Sequence, residues 1–200
     1  QVALAARQAS VEMVRTSAAD RNRWLIDSAT QLRERLDEIL VANQQDLEAA
    51  PGYGLTDAQI DRLVLNEERV AGIAQALEEI AGLANPVGEV IESRERPNGL
   101  NIKKVRVQLG VVFFVYESRP NVTADAAAIC IKSGNAVILR GGKEAAFSSR
   151  AIVKILTDTA RQVGLPDNTV QLVEPLDRVK LENGNGGVYN NGYLTILSQR

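Results

Sequence analysis

Residues 109–145 read LGVVFFVYESRPNVTADAAAICIKSGNAVILRGGKEA, and this stretch decides the fold. Residues 109–116 are nearly all apolar or β-branched, which predicts a strand buried on both faces. A helix is expected over about residues 123–132, followed by a turn at Ser133-Gly134-Asn135 and a second apolar strand over residues 136–140. Two strands joined in this way by a helix and short links predict a parallel pair.

The same alternation continues downstream. A helix is predicted over about residues 145–163, and Gly164-Leu165-Pro166 ends it in the order that terminates helices. Residues 169–173 then form a third predicted strand. The βαβαβ pattern predicts an α/β fold with a Rossmann-like parallel sheet, in which ligands bind beyond the carboxyl ends of the strands.

Residues 1–84 are predicted to be a helical segment. Ser17 caps a long helix whose apolar residues recur at intervals of one, three or four along one face. Pro51-Gly52-Tyr53-Gly54 breaks this run, and Thr56 and Asn66 cap two further helices.

After the helical segment the composition changes at Asn85-Pro86. Residues 87–91 and 100–107 alternate as strands do, and Pro97-Asn98-Gly99 is a turn signal between them. We therefore divide the chain into the helical segment (1–84), the first part of an α/β cofactor domain (85–174) and an unassigned, hairpin-like tail (175–200).

Composition excludes several kinds of chemistry. The 200 residues hold no histidine and one cysteine, so a histidine base, a histidine or thiolate metal site and an internal disulfide are all excluded. The net charge of -2 gives no reason to expect binding to nucleic acid or membranes, and no apolar run approaches the ~18 residues of a membrane span. The single cysteine favours a reducing, cytoplasmic location, and Cys130 itself, on an apolar helix, is expected to be a small core residue.

Polar residues follow the first two predicted strands, at the edge where ligands would bind. Asn121 ends the loop after the first strand, and its ordinary interpretation is a side chain that caps backbone groups. After the second strand, Gly141 and Gly142 lie between Arg140 and Lys143 at the start of a helix, an arrangement that suits a phosphate-bearing ligand but also an ordinary turn. Neither loop matches the dinucleotide or P-loop pattern, so spacing alone names no cofactor.

Three longer motifs indicate a protein family, which the spacing of single residues does not. VRVQLGV (105–111), YESRPNVT (116–123) and KSGNAVILRGGKEA (132–145) resemble the glutamate-5-semialdehyde dehydrogenase family of the aldehyde dehydrogenase superfamily. ANQQD (42–46), DRL (61–63) and NPVG (85–88) are also similar to that family, and the resemblance covers about residues 1–174. It implies NADPH-dependent reduction of gamma-glutamyl phosphate to glutamate-5-semialdehyde, the second step of proline synthesis from glutamate, by an enzyme that is homo-oligomeric at full length and needs no metal.

The resemblance also implies roles for single residues. Asn121 would donate a hydrogen bond to the oxyanion that develops during the reaction. Arg140 would lie near the adenosine ribose, where it and Lys143 would suit the 2′-phosphate of NADP. Glu144 would reach the ribose hydroxyls, beside the turn formed by the two glycines.

The chain also departs from the family pattern. The family's nucleophilic cysteine belongs to a catalytic domain that nothing here matches, and residues 175–200 do not resemble the family. We therefore expect these 200 residues alone to be inactive. Two alternatives remain open: a non-catalytic, remodelled domain that acts by binding or assembly, and a different acyl-processing aldehyde dehydrogenase.

Overall fold

The computed structural model describes residues 1–173 and, as backbone only, residues 195–197. The first half of the chain is helical, as predicted. It comprises α1 (Val2–Met13), α2 (Ala18–Glu34), α3 (Leu36–Ala49), a short 3₁₀ helix (Ala50–Tyr53), α4 (Asp57–Leu63) and α5 (Glu67–Gly82).

The three predicted caps begin the expected helices. The Ser17 hydroxyl accepts from the backbone N–H of Asp20, whose carboxylate accepts in return, and Thr56 forms the same box with Gln59. Asn66 accepts from the backbone of Arg69 at the start of α5. Such caps satisfy amides that have no partner within the helix.

The single long helix predicted after Ser17 is wrong, because α2 and α3 are separated at Arg35. The backbone there has φ -103° and ψ 29°, outside the helical range. Both helices bury the same kind of apolar stripe in one core, so the hydrophobic pattern continues through the break and could not reveal it.

The second half of the chain contains two sheets. Strands β1 (Val90–Glu95) and β2 (Asn101–Val105) form an antiparallel hairpin. The larger sheet has the order β5-β4-β3-β6 and contains β3 (Val111–Val115), β4 (Ala136–Arg140), β5 (Val170–Leu172) and β6 (Thr195–Leu197). Strands β3, β4 and β5 are parallel, and helices α6 (Pro120–Lys132) and α7 (Ala146–Gln162) connect them. The predicted α/β fold with a parallel sheet is confirmed.

The structure corrects two predicted strands. β1 covers residues 90–95 instead of 87–91, because both faces of the hairpin are exposed and such a strand carries no apolar alternation. β3 is not buried on both faces, since Val112 is its only fully buried residue, whereas residues 136–139 of β4 are all buried. β4 lies between two parallel strands, whereas the other neighbour of β3 among the described residues is the antiparallel β6.

Helix α6 begins at Pro120, three residues before its predicted start. Proline fits the first helical position because its fixed φ is already helical and its missing N–H would have no partner there. This places Asn121 on the first turn of the helix and not in a loop.

One hydrophobic core joins the helical segment to the parallel sheet. Trp24 of α2 is fully buried and its indole N–H donates to the carbonyl of Leu156 in α7, at 3.0 Å. The buried ammonium of Lys132 donates to the side chain of Asn22 and to the carbonyl of Ala81, and burial lowers its pKa. The helical segment therefore packs directly on α6 and α7, and the division at residue 84 stays a prediction.

Two further observations concern the predicted boundaries. Apart from Thr195–Leu197, which pairs with β3, the hairpin-like tail predicted at 175–200 lies outside the described residues. None of the helices in the described part of the chain has the length and apolar character to cross a membrane.

Candidate active site

The loops that follow β3 and β4 contact each other at the carboxyl edge of the sheet. The Ser118 hydroxyl donates to the carboxylate of Glu144. A Cβ on Gly142 would overlap the Ser118 side chain and lie 3.1 Å from its backbone nitrogen. Gly142 is therefore required for close approach of the two loops and not for its φ of -67°.

Arg140 has an unsatisfied donor at this edge. The residue is half-buried, and its Nε is buried with no hydrogen-bond partner among the described residues. A buried guanidinium donor is costly to leave unpaired, so an anionic ligand group would fit here. Lys143, in contrast, is exposed and its ammonium lies 4.7 Å from the centre of the Tyr53 ring. Lys143 thus contacts an aromatic ring, whereas Arg140 keeps a donor without a partner among the described residues.

The start of α7 is already capped by a carboxylate. Asp46, on α3, accepts from the backbone N–H groups of Phe147 at 3.0 Å and Ser148 at 2.8 Å. Burial raises the pKa of Asp46, although these hydrogen bonds oppose the shift. The amides of α7 that were expected to attract a ligand anion are therefore partly satisfied within the protein.

Asn43 extends this polar contact. Its amide donates to the carbonyl of Leu63 and to the hydroxyl of Ser148, and its oxygen accepts from the backbone of Leu65. Asn43 and Asp46 are both buried and lie on the face of α3 that also carries Ile39. Polar residues at apolar positions of a helical pattern were the sequence signal for this network, which sequence reasoning missed.

Asn121 lines a cleft between α4, α5 and α6. Its side-chain nitrogen donates to the carboxylate of Asp125 at 3.2 Å, one helical turn later. Burial raises the pKa of Asp125. The cleft has a volume of about 490 Å³, and its polar and charged lining residues are Asp61, Arg62, Arg69, Arg119, Asn121 and Asp125.

A second cleft of about 410 Å³ adjoins the glycine turn. It is lined by Gly142 and Glu144 from the loop after β4, by residues 117–119, and by residues 55, 59 and 62 of the helical segment. Arg62 and Arg119 line both clefts. These two arginines therefore lie between the predicted catalytic residue Asn121 and the predicted cofactor turn, and sequence reasoning gave them no role.

Cys130 is buried, as predicted. It is 6% exposed, and burial raises the pKa of its thiol to about 12. A nucleophilic cysteine needs a lowered pKa and an accessible sulfur. Cys130 has neither, which agrees with the expectation of a core residue.

A parallel sheet with a glycine turn and polar clefts at its carboxyl edge defines a Rossmann-like α/β ligand-binding domain. The chain belongs to the aldehyde dehydrogenase family, whose model matches residues 1–181. The match extends past residue 174, so the expectation that the resemblance ends there is wrong.

Individual relatives agree with this assignment. The chain is 65% identical over 158 residues to gamma-glutamyl phosphate reductase of Rhodopirellula baltica. The aligned region covers 79% of this chain and 36% of the relative. It is 45% identical over 195 residues to the same enzyme of Carboxydothermus hydrogenoformans, covering 98% of this chain and 46% of the relative. The crystal structure of gamma-glutamyl phosphate reductase from Thermotoga maritima superposes with a TM-score of 0.85 at 38% identity, over 88% of this chain and 43% of that one. The chain thus spans less than half the length of these relatives.

Proposed function

We propose that the protein containing this chain is a cytoplasmic, NADP-dependent oxidoreductase that reduces gamma-glutamyl phosphate to glutamate-5-semialdehyde in proline biosynthesis. The similarity to relatives named gamma-glutamyl phosphate reductase, at up to 65% identity, carries the proposal. The two adjoining clefts support it, because a hydride transfer needs a substrate site and a cofactor site side by side. The chain supplies the helical segment and the first part of the cofactor domain.

Arg140 and the residues beside it are proposed to hold NADP. When bound in its reduced form, NADPH, this cofactor would supply the hydride. The Nε of Arg140, which is buried and has no hydrogen-bond partner among the described residues, suits the 2′-phosphate, and the Gly141-Gly142 turn brings backbone close to the ligand. Glu144 lines the second cleft with Gly142 and suits ribose hydroxyls, while the exposed Lys143 adds positive charge next to the glycine turn.

Asn121 is proposed to donate to the oxyanion. Its amide nitrogen carries two hydrogens, of which Asp125 accepts one; the second has no partner among the described residues and is available to a ligand in the cleft. The Asp125 contact fixes the direction of that free N–H. Asp125 is therefore a positioning residue for Asn121.

The nucleophile is proposed to come from outside these 200 residues. A covalent route to an aldehyde needs a thiolate, and the thiol of Cys130 is buried and protonated at neutral pH. The 200 residues by themselves are therefore expected to show no turnover.

The full-length protein is proposed to be a homo-oligomer. The β1–β2 hairpin is exposed on both faces and carries apolar side chains, among them Val90, Ile102 and Val105. An isolated two-stranded hairpin is marginally stable in water, so a covering surface would stabilise it.

The test is steady-state kinetics of the full-length protein in the oxidative direction, with semialdehyde, phosphate and NADP as substrates. Asn121→Ala should lower kcat by roughly 100- to 1000-fold, the scale for loss of one oxyanion donor, with nearly unchanged nucleotide affinity. Asp125→Ala should also lower kcat, whereas Asp125→Asn keeps an acceptor for Asn121 and should retain most activity.

Three results would contradict the proposal. Turnover by the isolated 200 residues would show that no outside nucleophile is needed. Turnover of a different acyl substrate in preference to the semialdehyde would favour another acyl-processing enzyme. Absence of turnover by the full-length protein would favour a domain that acts by binding or assembly.

A further inference from the structure

Two arginines occupy the junction of the two clefts described above. Arg62, on α4, is exposed and forms no hydrogen bond or ion pair within the described residues. Arg119 immediately precedes α6, and its Nε is buried without a hydrogen-bond partner there. Within the part of the chain that the structure describes, its one ion pair is a 3.5 Å contact with Glu117, whose side chain is 78% exposed. Both guanidinium groups therefore retain donors for a ligand.

Each of the other charged side chains that line the clefts has a hydrogen-bond or ion-pair partner among the described residues. Arg69 donates to the Asp61 carboxylate at 2.8 Å and to the carbonyl of Val64. The carboxylate of Asp125 accepts from Asn121, and that of Glu144 accepts from Ser118. Among the described residues, Arg62 has no partner and Arg119 has only the exposed Glu117, so these two guanidinium groups keep the most donors for a ligand.

The start of α6 adds to this field. The helix has 13 residues, and no side chain of residues 1–173 caps its N-terminus. The partial positive charge of a helix N-terminus attracts anions, and Asn121 on the first turn lines the same cleft as the two arginines.

We propose that Arg62 and Arg119 form the site for the phosphoryl group of the acyl phosphate and for the inorganic phosphate that leaves; this inference rests on the proposed function. In the reaction, the cysteine thiolate forms a C–S bond to the acyl carbon while the C–O bond to the phosphoryl group breaks. The bonding electrons leave with phosphate, which takes up a proton from solvent as it departs as the dianion. Cations beside the breaking bond stabilise that leaving group.

Because the two arginines lie beside Asn121, we expect them to bind the phosphoryl group of the substrate and not its α-carboxylate. If Asn121 holds the carbonyl oxygen, the group bonded to the carbonyl carbon must lie beside Asn121. The phosphoryl group is that neighbour, whereas the α-carboxylate is at the far end of the carbon chain. Arginine also matches phosphate oxygens in bidentate geometry.

The first arm of the test measures the three Michaelis constants of the full-length protein in the oxidative direction. Arg62→Gln and Arg119→Gln should each raise the KM for inorganic phosphate by roughly 10- to 100-fold, the effect of losing a charged hydrogen bond. The KM values for semialdehyde and NADP should change less than about twofold. Arg23→Gln, which removes an exposed arginine of α2 from outside both clefts, is the matched control and should change none of them.

The second arm needs no turnover. Phosphate should raise the melting temperature of the wild-type protein and of the Arg23→Gln control at constant ionic strength, because a ligand that binds the folded state stabilises it. With NADP present at saturation, so that phosphate cannot act through the proposed cofactor site at Arg140, this shift should be absent from Arg62→Gln and Arg119→Gln. Arg62 is exposed, so its substitution should leave folding intact if Arg119→Gln does not fold.

The two arms separate the failures. A phosphate shift that both variants retain would overturn the inference, as would a rise in the semialdehyde KM in place of the phosphate KM, which would assign the arginines to the carboxylate. If phosphate stabilises the protein through these arginines but the full-length protein never turns over, the proposed function is refuted while the phosphate site stands.

Discussion

Removal of the Asp46 carboxylate should loosen the start of α7 beneath the cofactor turn. Asp46 accepts two backbone N–H groups there, from Phe147 and Ser148. Ser148 is fully buried, so its amide would lose its partner without access to water, at a cost of about 1–3 kcal/mol. Phe147 is 40% exposed, and water can replace part of its bond. Since ionised Asp46 is itself disfavoured by burial, we expect a net cost of about 2 kcal/mol for Asp46→Ala.

Hydrogen exchange by mass spectrometry on the full-length protein measures this effect. A cost of about 2 kcal/mol corresponds to a roughly 30-fold loss of protection in the peptide that contains residues 146–149. Asp46→Asn keeps one acceptor oxygen, which can remain on the buried Ser148 amide, so it should lose clearly less protection. Glu48→Ala removes an exposed carboxylate from the same helix and should change nothing beyond about 0.5 kcal/mol.

The reasoning fails if Asp46→Ala exchanges at the wild-type rate. It also fails if Asp46→Asn and Asp46→Ala lose equal protection, since the retained oxygen would then have no value. Equal losses in the Glu48→Ala control would point to a general change in α3 instead of a lost cap.

Three further predictions concern the cofactor, the thiol and the hairpin. Arg140→Gln should weaken NADPH by roughly 10- to 100-fold and NADH by less than about twofold in equilibrium titration, because only NADPH carries the extra phosphate; equal losses would contradict the assignment. Cys130, whose buried thiol has a pKa of about 12, should react with a thiol reagent far more slowly than a free cysteine at pH 8. Because the folded state raises the pKa of this thiol, the neutral thiol contributes stability that is fully present below the unfolded pKa of about 8.5. This contribution to the free energy of unfolding should be lost as the pH rises toward 12 in the wild type but not in Cys130→Ala. Ile102→Lys, which places a charge on the exposed hairpin, should lower the mass of the full-length assembly measured by light scattering. Lys103→Arg, which keeps the charge of the neighbouring residue, should not change that mass.

Much of the fold follows from local rules that the sequence displays. The caps at Ser17, Thr56 and Asn66 and the strand at residues 136–140 were all predicted correctly. A cap needs only residues within one helical turn, and a central parallel strand is apolar throughout because both its faces are buried.

Elements without a local signal were mispredicted. β1 is exposed on both faces, so its residues show no alternation to mark its ends. The break at Arg35 interrupts the backbone without interrupting the apolar stripe, and the guanidinium there also bonds Asp158, more than a hundred residues away. The apolar pattern along the chain shows neither the ends of an exposed strand nor contacts between residues that are distant in sequence.

The sequence by itself determined the fold class, the burial of Cys130 and the glycine turn that follows β4. Each depends on residues that are adjacent or related by a short period, and physical chemistry acts on them directly. The tertiary structure alone decided which side chains share a cleft. Arg62 and Asn121 are far apart in sequence but line one cavity, and Asp46 caps a helix a hundred residues downstream. Such contacts arise when the helical segment and the sheet bury a common core, so no local pattern encodes them.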